Sequence, residues 1–219
     1  MTKTKSKYTP KEATFTSNIN GIFITTVLNK EKQAAKEILA ILNDLNSIQD
    51  ESLSFEDELK ALKSSKSTLF SQLHFNVSCC IFIKSSIDPN LLVNQLINQV
   101  KISQFSRFAN RIVPFEFITR ADLIYLEKIS LEIKEKYFKD ENTTYAIVVN
   151  SRCNNVSSMQ VINTIANVIS CKVDLTNPEL TIVVETFKST AGIGVLKNYK
   201  ELKKYNLYEL TRMYQQASD

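Results

Sequence analysis

At 219 residues, 43% of them hydrophobic and 23% charged, the chain holds enough apolar material for one large or two small packed domains, which excludes a disordered chain or a fibrous repeat. A formal charge of +4, from 27 Lys and Arg against 23 Asp and Glu, admits a nucleic-acid partner without requiring one. No stretch approaches the roughly 20 apolar residues of a membrane span. The start, MTKTKSKYTPKEATF, has no signal-peptide core, so the expectation is an intracellular protein with no membrane partner, in the nucleus (nucleolus), the cytoplasm or both.

Residues 1–20 are polar and aperiodic and predict a flexible tail. Gly21 to Leu28 is β-branched and aromatic and predicts a strand; Ala35, Ile38, Leu42 and Leu45 then recur at helical spacing. Asp44 to Glu58 holds six acids and no base, and the stretch around Asp50 to Glu58 predicts a solvated linker. Alternation at Val77, Cys79, Ile81 and Ile83 predicts a strand over Phe75 to Lys84. A helix follows from about Asn90 to Val100, capped by Asp88 with Pro89 in its first turn.

In the second half, Phe115 to Thr119 predicts a short strand. Leu123, Leu126, Ile129, Ile133 and Tyr137 mark one face of a helix whose other face carries Glu127, Lys128, Glu132 and Lys134. Tyr145 to Val149 is an apolar run suited to a strand buried on both faces. Ser157 or Ser158 can cap a helix with the stripe Ile162, Ile165, Ala166 and Ile169. Thr181 to Phe187 and Gly192 to Leu196 form a hairpin around 188–191, and a last helix runs from about Lys200 to Gln216. Strands alternating with helices predict an α/β (α+β) architecture with helices packed on a mixed sheet.

Several chemistries lack their residues. Three glycines, Gly21, Gly192 and Gly194, cannot write a GxGxxG or P-loop phosphate cradle, which argues against nucleotide and S-adenosylmethionine sites. His74, the single histidine, has no apparent partner for general-base or metal work. Cys79, Cys80, Cys153 and Cys171 form no CxxC pair and read as reduced thiols; on a strand, Cys79 and Cys80 point to opposite faces and cannot chelate together. No catalytic residue, metal site, cofactor or small-molecule substrate is expected.

The segments Ser106-Arg107-Phe108-Ala109-Asn110-Arg111-Ile112-Val113-Pro114, Tyr145 to Val149 with Ser151-Arg152-Cys153-Asn154-Asn155, Lys172 to Glu185, and Lys203 to Leu210, in that order and spacing, resemble the THUMP domain of RNA-modifying enzymes. Within that group they are similar to the tRNA acetyltransferase adaptor family. The resemblance implies an N-terminal ferredoxin-like domain (21–105), a THUMP domain (106–200) and a C-terminal helix (201–219). It also implies an adaptor that binds tRNA and presents serine and leucine tRNAs to an RNA cytidine acetyltransferase, the partner that makes N4-acetylcytidine in the D arm, with no enzymatic activity of its own. The alternatives are a general RNA-binding module and a stand-alone tRNA-modifying enzyme, the latter requiring a cofactor pocket for which the chain has no glycine motif.

The residues expected to meet RNA are basic or turn-forming. Arg107 and Arg111, four apart, share a face if their segment is helical and could clamp adjacent phosphates, or serve only solubility. Arg152 and Asn154 follow a strand end, where α/β folds commonly meet ligands, although Asn154 also suits a plain turn. Lys172 precedes a turn in which Asp174 and Asn177 satisfy backbone groups. Lys188, Lys197, Lys200, Lys203 and Lys204, against the single Glu201, form the densest basic run. Tyr199 and Tyr205 within it either stack on unpaired bases or belong to the core.

Overall fold

The computed structural model describes residues 19–47, 69–73, 77–102, 106–152 and 155–216. The expected tail up to residue 18, the acidic linker from residue 50, His74, Cys153 and Asn154 lie outside the described residues.

The first sheet contains β1 (Gly21–Thr26), β2 (Phe70–Leu73), β3 (Cys80–Ser85) and β4 (Ala109–Phe115), in the order β2-β3-β1-β4, with every pairing antiparallel. Helix α1 (Glu31–Ser47) follows β1, and α2 (Pro89–Ile102) follows β3. This β-α-β-β-α-β order with β3 inserted between β1 and β2 is the split β-α-β arrangement and fits the ferredoxin-like expectation. Asp88 caps α2, its carboxylate accepting from the Asn90 N–H at 2.7 Å.

Two strands of this sheet differ from the sequence expectation. The segment read as one strand from Phe75 holds a turn, in which Cys79 has φ 59°, and the strand itself begins at Cys80. Cys79 is therefore not a strand residue facing away from Cys80; its N–H donates instead to Glu31 Oε1 at 2.8 Å. Residues 109–115, assigned by sequence to the second unit, form β4 of the first, Ala109 to Phe115 running beside β1. Arg111 is thus on a strand, and the helical pairing with Arg107 does not form. Ile112 and Val113 favour extended backbone, and Pro114 is tolerated because β4 lies at a sheet edge.

The second sheet has the order β5-β8-β7-β6, from β5 (Phe117–Arg120), β6 (Tyr145–Arg152), β7 (Leu180–Phe187) and β8 (Thr190–Lys197). It is mixed, as expected: β6 pairs with β7 in parallel and the other pairings are antiparallel. β7 is buried along its whole length, whereas β6, the strand expected to be covered on both faces, is an edge strand and only partly buried. Helix α3 (Leu123–Tyr137) buries Leu126 and Ile133. Helix α4 (Ser158–Val168) starts at a capping box in which Ser157 and Gln160 exchange hydrogen bonds, and it buries Val161 and Ile165.

Strand alternation sorts the side chains into four layers. Ile22, Ile24, Ile81, Ile83 and Ile112 share one face of the first sheet, in one core with α1 and α2. Phe23, Phe82, Val113 and Phe115 share its other face and meet Val183, Phe187 and Leu196 of the second sheet; Phe23 stacks between Phe115 (4.9 Å) and Phe187 (5.8 Å). Ile182, Val184 and Ile193 point the opposite way, into a second core under α3 and α4. The sheets approach closely because Gly194 has no Cβ: one built there would lie 2.0 Å from the Pro114 carbonyl oxygen.

The last described element is α5 (Leu207–Gln216), which starts later than expected because Lys203, Lys204 and Tyr205 have φ of 50°, 56° and 59°, a left-handed turn that no α-helix can contain. Tyr205, Leu207 and Leu210 are buried in the first core, with Leu202 and Met213 packed partly buried against it, so the apolar side chains of this segment are used inside the molecule, on the first sheet's side.

Candidate nucleic-acid interface

The seam between the two sheets carries a charged group where apolar packing would be expected. Glu185 lies on β7 between Val183 and Phe187, on the face toward the first sheet, and is 0% exposed. Its Oε1 accepts from Asn150 Nδ2 at 2.8 Å and its Oε2 from Arg152 Nε at 3.3 Å, both partners being neighbours on β6. Burial pushes the Glu185 carboxyl above the ordinary carboxylate value, and the charge of Arg152, the Asn150 and Arg152 hydrogen bonds and the charge of Arg111 oppose it. Across the seam, Cys80, Thr25 and Arg111 stand in register on β3, β1 and β4. Burial raises the Cys80 thiol to about 11, so it is neutral at physiological pH.

Arg111 completes this cluster from the first sheet. Its Nε is buried without a hydrogen-bond partner, and among the described residues no carboxylate forms an ion pair with it. Beside it, Tyr199 (5% exposed) and Tyr205 (3%) stack at 6.1 Å, and the Tyr205 hydroxyl donates to the Lys197 carbonyl at 2.9 Å. Both tyrosines are therefore core residues and present no open face to a base.

The nine described residues among those expected to meet RNA do not form one patch. Lys188 has φ 51° in the two-residue β7-β8 turn, and its N–H donates to the Arg152 carbonyl, so these two stand together at one end of the second sheet. Lys197 closes the opposite end of β8, roughly 25 Å away by strand rise. Near that end, the Lys200 ammonium donates to the carbonyls of Leu175 (2.5 Å) and Thr176 (2.7 Å) and ties down the loop that Asp174 shapes. Asp174 accepts from the N–H groups of Thr176 and Asn177, which hold its carboxyl below the usual range. Lys172 is exposed before that loop, and Lys203 and Lys204 are exposed on the left-handed turn. The turn reaches Arg111 through an antiparallel bridge between Arg111 and Asn206. Arg107 is exposed ahead of β4, its N–H donating to Glu37.

Glu185 is the residue that sequence reading passed over. The available signal was its position, as the single acid in an eight-residue run of Leu, Thr, Ile, Val and Phe. Among the described residues, no group of three or more His, Cys, Asp or Glu could hold a metal ion, and no helix is long and apolar enough to cross a membrane.

Comparison with known proteins gives this arrangement a context. The family model for the THUMP domain matches residues 120–196, the stretch that runs from the last residue of β5 to the penultimate residue of β8. The THUMP domain-containing protein 1 homolog of Drosophila melanogaster is 31% identical over 160 residues, covering 69% of this chain and 49% of that protein. A Saccharomyces cerevisiae protein named tRNA acetyltransferase TAN1 is 25% identical over 243 aligned positions, covering 87% of this chain and 84% of that protein. The chain thus spans about half the length of the fly relative and most of the yeast one. Among solved structures, PH1313 from Pyrococcus horikoshii Ot3 shares the fold, with a TM-score of 0.51 at 16% identity over 82% of this chain and 56% of that one. With the THUMP match lying on the second sheet and relatives aligned across both sheets, the chain belongs to the THUMP domain-containing protein family.

Proposed function

We propose that this chain is a tRNA-binding adaptor that presents serine and leucine tRNAs to an RNA cytidine acetyltransferase for N4-acetylcytidine formation in the D arm. The observation that carries the reading is the alignment to the yeast relative, whose name ties it to tRNA acetylation, over 84% of that protein's length. Physical chemistry supports an RNA surface. Arg107, Lys172, Lys188, Lys197, Lys203 and Lys204 project exposed cations, and each phosphate they neutralise releases counterions. The adaptor's contribution is positioning: holding the target cytidine near an active site on another chain raises its effective concentration without chemistry of its own. It works inside the cell, where tRNA and the partner enzyme are found, and takes no cofactor.

The test is reconstitution. With the acetyltransferase, acetyl-CoA and ATP, the chain should raise acetylation of a serine or leucine tRNA and yield no acetylated tRNA when the partner is left out. Acetyl transfer by the chain alone would replace the adaptor with an enzyme, the reading that the yeast relative's name favours on its face. Lys203→Glu with Lys204→Glu should weaken binding of many tRNAs alike, about tenfold or more, because phosphate contacts carry no sequence information; unchanged affinity would remove the turn from the RNA face.

A further inference from the structure

We propose that Arg111 and Arg152, brought from different sheets to one seam, clamp a single RNA phosphate between them, and that buried Glu185 positions Arg152 to do so; this rests on the RNA-binding reading above. The cluster is incomplete in charge. Two guanidiniums face one carboxylate, which leaves one positive charge beside a fully buried group. Of the other titratable groups there, burial keeps the Cys80 thiol and the Tyr199 hydroxyl protonated. The Glu31 carboxylate, whose charge also acts on Cys80, is already engaged by the Cys79 N–H at 2.8 Å and is not among the groups acting on Glu185. An uncompensated charge at a partly desolvated seam is costly, and one phosphodiester, at charge −1, neutralises it.

The geometry agrees with the charge count. Glu185 engages Arg152 through Nε and not through the terminal nitrogen pair, which is the fork that grips phosphate. The second carboxylate oxygen is taken by Asn150, so the carboxylate is itself fixed, and Arg152, whose side chain is 34% exposed, can reach an RNA backbone from a rigid base. On the other side of the seam, Arg111 is held on β4 by pairing with Thr25 and by the bridge to Asn206, and its Nε has no acceptor in the described chain. A ligand that satisfied both arginines would also tie the sheets together.

The experiment measures the affinity of the full chain for a labelled tRNA between about 50 and 200 mM salt. Because one phosphate serves both arginines, Arg111→Ala, Arg152→Ala and the double variant should each lower the salt slope by the same amount, about 0.7 to 0.9, rather than the double by twice that. Affinity should fall about tenfold or more in each. Arg152→Lys keeps the charge and loses the fork, and should also weaken binding. Glu185→Gln is the sign test: removing a negative charge near RNA would tighten binding if only net charge mattered, whereas loss of positioning weakens it. Folding of each variant is checked by its thermal midpoint. A parent chain that binds tRNA, with arginine variants that bind equally well or lower the slope independently, overturns the shared clamp and leaves the RNA-binding reading standing. Tighter binding by Glu185→Gln overturns the positioning role, and a parent chain with no affinity for tRNA overturns the clamp and the reading together.

Discussion

A glutamate in the middle of a covered strand works against the fold unless its charge is met, and at residue 185 two neighbours on one strand meet it. Asn150 and Arg152 alternate on β6 with the same period as the pleat, so both reach the β7 carboxylate from one face. The compensation is partial, because burial still leaves the folded carboxyl above its ordinary value near 4.5. The sign of the consequence follows. An acid whose folded value is raised holds its proton more tightly in the native state, so it adds stability at low pH that is lost as pH rises from about the unfolded value through the folded one. Comparing parent with Glu185→Gln by urea unfolding across that window isolates this group from the other carboxylates, which both chains share. The variant's stability relative to the parent should increase with pH; a flat difference would mean that the carboxyl is not shifted.

Elements differ in how openly their causes are written. Helix α3, its face at Leu126 and Ile133, the Ser157 cap of α4 and the β7-β8 hairpin were legible because each depends on spacing within a dozen residues. Strand β4 was not, since Asn110, Arg111 and Pro114 break the pattern of a covered strand, and only the edge position beside β1 makes them acceptable. The left-handed turn at Lys203 to Tyr205 was hidden for a related reason: no glycine or asparagine advertises it. Its conformation is imposed by buried Tyr205 and by the Lys204 N–H donating to the Tyr199 carbonyl at 2.7 Å. Lys204→Gly should therefore leave stability unchanged or raise it by up to about 1 kcal/mol, relief of left-handed strain offsetting backbone entropy, while Lys204→Val should lower it. Thermal unfolding of the pair decides this, and a destabilised glycine variant would refute the strain. At the other extreme, Gly194→Ala puts a Cβ into the Pro114 carbonyl and should cost about 2 to 3 kcal/mol, read as a lower urea midpoint at unchanged slope. No cost there would mean that β8 and β4 can separate freely.

At the scale of the whole molecule, the residues proposed to face RNA come from distant parts of the chain, and it is the packing of sheet on sheet that brings Arg111 to Glu185 and Arg152. Sequence patterns name the strands and leave their mutual placement open, which is why the basic residues read as one run divide between two ends of β8. The seam should then behave as a shared structural element. Phe187 sits in it, 3% exposed, stacked on Phe23 of the first sheet while its own strand belongs to the second. Phe187→Ala removes that ring from both and should cost about 3 to 5 kcal/mol. If the sheets unfold as one unit, native-state hydrogen exchange will quicken together for the β1 amides and the β8 amides, two strands that do not pair with each other. Faster exchange confined to β7 and its partners would show instead that the second sheet opens alone, and the arginine cluster would then be a contact made and broken by sheet docking.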